Sequence, residues 1–396
     1  MASPLAQTVA VTAMNLRSIP SRLGTSMVVV IGIAGVVGVM VALLSMARGF
    51  EKTLQSTGRA DRALIMRGGS NDELSSVILR EQAQIIANAP GVRKGSNGRP
   101  LVAPEGFLIT DVAKRNDPSP TNVVVRGTTV NVLELRPETH IVEGRMFTPG
   151  LREVVAGRSA VNQFSNLSIG SQVEVRDGPW TVVGIFESGG DVHESEIWVD
   201  TEALMAASKR DAYSAMTVQL ESEDSFTAFK DALSTDPRMS VSVQREPAYY
   251  ASRSEQLGIM IRVLGYSVAV IMGIGALFGT LNTMYAAVST RTVEIATLRA
   301  IGFNETPVVI SVLLEALVLA LAGGLVGGAL ADGFVNGYSV STLNMQTFSQ
   351  VAFAFRVTPD LLWQGLLLAL AIGMVGGLFP AVRAARIPVV DALRAN

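Results

Sequence analysis

The stretch STRTVEIATLRAIGF, residues 289–303, lies between two long apolar runs and carries two arginines and one glutamate. Residues 263–290 hold no charged side chain, and residues 306–331 hold only Glu315. Each run is longer than the roughly 20 apolar residues with which a helix crosses a bilayer. The stretch is therefore predicted to connect two membrane-spanning helices.

Two further runs, residues 23–47 and 361–382, are also free of charge and long enough to span. The first starts too late and is too long for a cleaved signal peptide. Only 17% of the residues are charged, whereas soluble domains average about a quarter. Buried core helices of a soluble protein are the alternative, which the sustained length of the runs disfavours. We expect an α-helical membrane protein with four transmembrane helices, at residues 23–47, 257–288, 306–331 and 361–382.

Basic residues indicate how these helices are oriented, because short cytoplasmic segments of membrane proteins are rich in arginine and lysine. The arginines of the two chain ends and of the 289–305 loop are Arg17, Arg22, Arg291, Arg299, Arg383, Arg386 and Arg394. The loop at residues 332–360 has Arg356 as its only basic residue. We therefore expect cytoplasmic termini and a cytoplasmic 289–305 loop. Residues 1–22 are predicted to form an amphipathic helix at the interface, and residues 383–396 a cytoplasmic tail.

A large extracytoplasmic insert is expected between the first two spans, at residues 48–256. Its edges continue the helical pattern of the spans and are predicted to form stalk helices. Residues 58–121 and 212–246 alternate strand and helix patterns, which indicates an α/β unit. Residues 122–205 are richer in strands and turns, which indicates a β-rich unit.

Sites for chemistry are not evident in the sequence. It has no cysteine, and its two histidines, His140 and His193, lack the spacing of metal ligands. The acidic cluster DVHESE, residues 191–196, is expected to be a solvated loop. No basic stripe indicates nucleic-acid binding. We expect no bound cofactor and no catalytic activity.

The 289–303 stretch resembles the cytoplasmic loop of FtsX/MacB-type (type VII) ABC transporter permeases. The matching positions are Arg291, Glu294, Ile295, Leu298, Arg299 and Gly302. In that family the loop docks in a groove of a cytoplasmic ATPase, so the resemblance implies that these residues couple the chain to an ATPase. The sequence has no Gly-Lys pair and hence no phosphate-binding P-loop. The resemblance therefore implies a permease-only subunit, with ATP bound by a separate chain.

Other segments extend the resemblance over nearly the whole chain. The tail FPAVRAARIPVVDALRAN resembles the C-terminal signature of the family, and its positions are Pro380, Arg383, Pro388, Leu393 and Arg394. Residues 143–188 resemble the MacB-type periplasmic domain. The third span carries the glutamate of the family, Glu315, followed by paired glycines. We expect Glu315 to have a structural or coupling role, with a proton relay as the alternative.

The resemblance implies a bacterial inner-membrane permease that works by mechanotransmission, in which ATP hydrolysis by the partner changes the shape of the periplasmic insert. The expected cargo is hydrophobic, lipid-like, a lipoprotein or a peptide, exported or extracted from the membrane. Expected partners are the ATPase, a second permease copy, membrane lipid and a periplasmic adaptor. Two alternatives remain at this point: an FtsX-like signal transducer that activates a periplasmic enzyme, and a membrane-anchored receptor or scaffold without an ATPase.

Overall fold

A computed structural model describes residues 4–115, 119–343, 350–386 and 388–389. The chain separates into two compact units. The membrane unit comprises Met1–Arg48, Ile259–Tyr338 and Phe355–Asn396, and the insert unit comprises Gly49–Gly258 and Ser339–Ala354. Each unit has its own hydrophobic core.

The α-helices of the described residues are α1 (Pro4–Arg17), α2 (Leu23–Gln55), α3 (Arg80–Ala87), α4 (Val132–Leu135), α5 (Arg158–Gln163), α6 (Thr201–Ser208), α7 (Ser225–Thr235), α8 (Glu246–Thr290), α9 (Thr292–Ala300), α10 (Glu305–Val335) and α11 (Pro359–Ala385). Four of them, α2, α8, α10 and α11, are long and apolar enough to cross a membrane. The predicted membrane fold class is confirmed. Both α2 and α8 continue beyond their apolar runs, α2 to Gln55 and α8 from Glu246.

The membrane unit is held together where glycines bring helices close to one another. A Cβ atom at Gly327 of α10 would lie 2.4 Å from the carbonyl oxygen of Ala34 in α2. A Cβ atom at Gly373 of α11 would lie 2.4 Å from the Cβ of Ala320 in α10. Small residues at such positions allow close van der Waals packing, which stabilises helix association in a bilayer.

The strands of the described residues are β1 (Arg62–Arg67), β2 (Ile78–Leu79), β3 (Val102–Ala113), β4 (Pro120–Thr128), β5 (His140–Gly144), β6 (Glu153–Gly157), β7 (Gln172–Val175), β8 (Gly178–Glu187), β9 (Glu196–Asp200), β10 (Ala212–Tyr213), β11 (Ala215–Gln219), β12 (Val241–Arg245), β13 (Ser339–Leu343) and β14 (Gln350–Ala354). The main sheet has the order β12-β1-β11-β3-β4-β9-β6-β8-β5, with β7 added to β8.

This sheet joins the two predicted parts of the insert. Strands β3 and β4 pair antiparallel from Gly106 with Gly127 to Ala113 with Pro120, so the sheet continues across the expected boundary. On the first part, α3 and α7 contribute Ile86 and Phe229 to a core that covers β1, β11 and β12. On the second part, the core is built around the fully buried ring of Trp180. The insert unit is therefore a mixed α/β domain, as predicted.

Candidate functional site

The loop between α8 and α10 folds as the short helix α9, and a glycine sets its end. Gly302 has a φ of 101°, a conformation that side chains other than glycine rarely adopt. The amide of Phe303 donates to the carbonyl of Leu298 at 3.1 Å, which satisfies one of the last free carbonyls of the helix. The chain can then turn directly into α10.

One face of α9 is buried and the other is exposed. Ile295 is 7% exposed and packs in a cluster with Met284, Val308 and Ala384. Ile295 therefore holds α9 against α8, α10 and α11, and its side chain is not free to enter the groove of a partner. Ile295 is buried because the helical period of α9 turns its side chain toward the neighbouring helices. The exposed face carries Val293, Glu294, Thr297, Ala300 and Ile301.

Two charged positions of the loop are held by ion pairs. Arg291 is 8% exposed and donates from Nη1 to Oε2 of Glu315 at 3.0 Å, so it is not presented at the surface. Its other terminal nitrogen donates to the hydroxyl of Ser18. Arg299 pairs with Glu305 across 2.8 Å, from the end of α9 to the start of α10. These contacts hold both ends of α9 against the membrane unit.

Glu315 is the centre of a buried polar network. A second cation lies nearby, because Nη2 of Arg22 is 3.8 Å from Oε1 of Glu315. One helical turn away on α10, Ser311 accepts a hydrogen bond from Asn15 of α1. A carboxylate inside a membrane span is costly unless it is paired, and two arginines provide that pairing. The network fixes the positions of α1, α9 and α10 relative to one another.

The amino-terminal helix α1 is a part of the site that sequence reasoning missed. Val11 and Met14 of α1 line one groove together with Glu294 and Leu298 of α9. The available signal was the pair Arg17 and Arg22, since arginines at helix ends can extend along an apolar surface to reach a carboxylate. Of these two arginines, Arg22 is the one that the described part of the chain shows close to Glu315.

The structure describes three residues of the C-terminal signature, namely Pro380 and Arg383 in α11 and Pro388 beyond it. Pro380 is buried within α11, next to alanines that pack in the same cluster as Ile295. The guanidinium of Arg383 lies 5.4 Å from the ring centroid of Tyr285 in α8, and Pro388 is exposed. Leu393 and Arg394 lie outside the described residues.

The insert unit contains a second cluster of charges, which the sequence did not indicate. Arg126 is 1% exposed and pairs with Glu73 at 2.6 Å, Glu105 at 2.7 Å and Glu196 at 2.7 Å. These carboxylates come from a loop and from strands β3 and β9, far apart in the sequence. Burial alone would raise the pKa of Glu196, but the charge of Arg126 more than offsets it and holds the pKa well below the usual range.

The segment DVHESE, expected to be a solvated loop, is buried, so that expectation is wrong. His193 is fully buried, and Ser195 and Glu196 are each 2% exposed. The hydrophilic composition was misleading because the side chains of Asp191, Glu194, Ser195 and Glu196 all find hydrogen-bond partners inside the domain. Burial raises the pKa of Asp191, whose carboxylate accepts hydrogen bonds from the amide of His193 and the hydroxyl of Ser188.

The arrangement around α9 presents a helix face that can position a partner. Within the described ranges, no cluster of histidine, cysteine, aspartate and glutamate is arranged to hold a metal ion. What α9 presents is an exposed face on a firmly anchored short helix.

Comparisons with known proteins cover both units. Residues 25–236 match the family described as the MacB-like periplasmic core domain, and residues 266–389 match the family described as the FtsX-like permease C-terminal. The uncharacterized ABC transporter permease YknZ of Bacillus subtilis (strain 168) is 24% identical over 96% of this chain and 98% of that protein.

Two further proteins are similar to this chain. The macrolide export ATP-binding/permease protein MacB of Hyphomonas neptunium is 23% identical over 99% of this chain, which spans 61% of that longer protein. The solved extracellular domain of the noncanonic ABC-type transporter YknZ from Gram-positive bacteria is 18% identical, with a TM-score of 0.34, over 46% of this chain and 99% of that chain. The family matches together confirm the resemblance found in the sequence. The chain belongs to the family of ABC transporter permeases that combine a MacB-like periplasmic core domain with an FtsX-like permease domain.

Proposed function

We propose that this bacterial inner-membrane permease receives the work of a separate cytoplasmic ATPase at α9 and passes it to the periplasmic insert unit. The observation that carries the proposal is the combination of a fixed and a free face on α9. Arg291, Ile295 and Arg299 anchor the helix, whereas Val293, Glu294 and Ile301 are exposed. A force applied to the free face would therefore move α10 and α8 with it.

The free face has the chemistry of a helix that docks in a groove. Ile301 is 69% exposed and Val293 is 40% exposed, so both can bury apolar surface against a partner. Glu294 lies between them in sequence and can set the register through a charge on the rim of the groove. The partner must supply ATP binding, because no Gly-Lys pair of a P-loop occurs in this sequence.

The proposed cargo is hydrophobic, lipid-like, a lipoprotein or a peptide, and it is handled on the periplasmic side. Support comes from the apolar runs at residues 23–47, 263–290, 306–331 and 361–382, whose ionisable side chains are Glu315, Tyr266 and Tyr285. Glu315 is occupied by Arg291 and Arg22. The spans therefore offer little to line a polar channel, whereas mechanical work on the insert unit needs none.

We further propose that two copies of the permease assemble with two ATPases. Along one face of α8, Ile271 is 70% exposed and Phe278 is 65% exposed. Gly275 and Gly279 lie on the same face, and no atom of another described residue lies within 4 Å of a Cβ atom built at either position. A second copy would cover part of this apolar face, and lipid would cover the rest. A periplasmic adaptor remains a proposal drawn from the family alone.

Substitutions on the exposed face of α9 should uncouple the permease from its ATPase. The double variant Glu294→Ala, Ile301→Asp removes the rim charge and places a charge in the apolar contact. Two central contacts of an interface are worth enough to weaken binding by about tenfold or more. We expect a loss of permease-stimulated ATP hydrolysis, measured in lipid nanodiscs with the ATPase that copurifies with the wild-type chain.

A matched control is available in the insert unit. Glu81 and Val77 are also an exposed acid and an exposed apolar residue, and the variant Glu81→Ala, Val77→Asp should leave stimulation unchanged. Equal stimulation by the wild type and by the α9 variant, at equal expression, would contradict the proposed docking face.

A further inference from the structure

The segment Asp191–Glu196, which we name the junction turn, is largely buried inside the insert unit. Its central residues Val192–Ser195 form a 3-10 turn that Asp191 caps through a hydrogen bond from the amide of His193 at 3.0 Å. Glu194 accepts hydrogen bonds from the amides of Ser188 and Gly190, each at 2.7 Å. Because the carboxylates of Asp191 and Glu194 are both bonded to backbone amides within residues 188–193, the turn is held in one shape.

The end of the first membrane-spanning helix is attached to this turn. Thr57 follows α2 by two residues and is fully buried. Its hydroxyl accepts a hydrogen bond from the amide of Val192 at 3.1 Å and donates to the carbonyl of Thr53 at 2.8 Å. The junction turn is thereby bonded to the last turn of α2.

The connection between α10 and α11 is attached to the same turn. This connection contains the antiparallel pair β13 and β14, which belongs to the insert unit. The amide of Ala352 in β14 donates to the hydroxyl of Ser195 at 2.9 Å. Next to it, the ring of Phe353 meets the ring of Phe50 in α2 edge to face, with 5.5 Å between the centroids.

The beginning of α8 is the third attachment. The ring of Tyr250 meets the imidazole of His193 edge to face, with 5.7 Å between the centroids. Its neighbour Tyr249 donates to Glu73 at 3.3 Å, and Glu73 shares Arg126 with Glu196 of the junction turn. The turn thus contacts α8 directly through a ring and indirectly through the buried charges.

We propose that the junction turn is the coupling point of the insert unit, where the ends of α2 and α8 and the α10–α11 connection are held in register. A displacement of any one of these segments is passed to the other two through Thr57, Ser195 and His193, which act as positioning residues. The physical reason is close packing: a buried, hydrogen-bonded turn moves as one body and does not deform continuously. The direction of the work, from α9 outward, rests on the proposed function.

The coupling itself can be tested on the full-length permease alone in nanodiscs of phosphatidylethanolamine and phosphatidylglycerol. In Ser195→Ala we expect amide hydrogen exchange to rise about threefold or more at residues 350–353 and also at 53–57 and 246–250. Since coupling is reciprocal, Thr57→Val should raise exchange at residues 350–353, which Thr57 does not contact by any hydrogen bond that the structure describes. The control Ser234→Ala removes a hydroxyl from the exposed face of α7 and should change none of these segments.

The result that would overturn the proposal is an increase confined to residues 350–353 in Ser195→Ala, together with no change there in Thr57→Val. A purely local structural role for Ser195 would give that pattern. Loss of folding is recognised separately, because it would raise exchange throughout the insert unit, including α7. In that case Thr57→Val decides the proposal, and Ser195→Thr, which keeps the hydroxyl, is its control.

A second experiment connects the junction turn to the work of the ATPase. Because the chain has no cysteine, Ser195→Cys and Ala352→Cys together can form one defined disulfide. Because the α10–α11 connection and the junction turn are proposed to move as one body, oxidation should leave stimulated ATP hydrolysis within about twofold of that of the reduced protein. A loss of stimulation of about fivefold or more on oxidation, restored by a reductant and absent from the single-cysteine variants, would show that the connection must shift on the turn and would overturn the proposal. If the wild type itself gives no stimulation, the proposed function fails instead, and the exchange experiment alone decides the junction turn.

Discussion

Replacing Arg126 with methionine is expected to destabilise the insert unit by about 3–5 kcal/mol. The guanidinium is 1% exposed and is shared by three carboxylates, those of Glu73, Glu105 and Glu196. Methionine fills a similar volume but leaves these carboxylates buried without their common cation. The loss therefore reflects the uncompensated charges more than the removed contact.

Tryptophan fluorescence during thermal or denaturant unfolding measures this loss in the full-length protein. Trp180 and Trp198 are fully buried in the insert unit, whereas Trp363 lies exposed on α11 and can be replaced by phenylalanine to remove its signal. The control Arg152→Met breaks an exposed pair with Asp177 and should change little, because surface ion pairs are weak. A loss for Arg126→Met no larger than that of the control would contradict the account of the buried charges.

The pH dependence follows from the pKa of Glu196, which is well below its usual range in the folded protein. A lowered pKa contributes stability above the pKa of the unfolded chain, and that stability is lost as the pH falls through the lower, folded value. The wild type should keep this contribution down to strongly acidic pH. In Arg126→Met the carboxylate can take up a proton at higher pH, so the difference in stability between the two proteins should narrow on acidification.

The variant Gly327→Leu is expected to disrupt the packing of α2 against α10. A Cβ atom at this position would lie 2.4 Å from the carbonyl oxygen of Ala34 and 2.9 Å from its Cα atom. Because the obstacle is backbone, it cannot move aside as a flexible side chain does. Overpacking costs about 1–3 kcal/mol, and the backbone clash places this variant at the upper end of that range or beyond it.

The measurement is the thermal stability of the purified protein in a mild detergent, followed by size-exclusion chromatography. The matched control is Gly275→Leu, since nothing lies within 4 Å of a Cβ atom built at Gly275. The control should leave the unfolding of the chain unchanged and affect only its oligomeric state. Equal destabilisation by both substitutions would contradict the assignment of Gly327 to internal packing.

Much of the architecture follows from patterns that are local in sequence. The charge-free runs predict the spans, because a bilayer requires about 20 apolar residues in a row. The alternation of strand and helix predicts the α/β insert, and both predictions are confirmed. The glycine pairs show where helices can approach closely, but they do not distinguish Gly327 from Gly275. A Cβ atom at Gly327 meets the backbone of α2, whereas one at Gly275 meets no other described residue within 4 Å.

Contacts between distant residues could not be predicted in this way. The partners of Glu315 could not be predicted, because its cations, Arg291 and Arg22, come from other segments of the chain. Arg126 gave no signal for the same reason, since its partners are 21, 53 and 70 residues away. The junction turn was misjudged because polar composition favours exposure only when no internal partners exist.

We propose that α9 lies on the cytoplasmic side of the membrane, where an ATPase can reach it. Single cysteines at Ile301 and Val77, in a chain that otherwise has none, test this claim with a membrane-impermeant maleimide. We expect Val77→Cys to be labelled in spheroplasts, and Ile301→Cys to be labelled only after the membrane is permeabilised. Labelling of Ile301→Cys in intact spheroplasts, with Val77→Cys protected, would contradict the orientation and with it the proposed path of work.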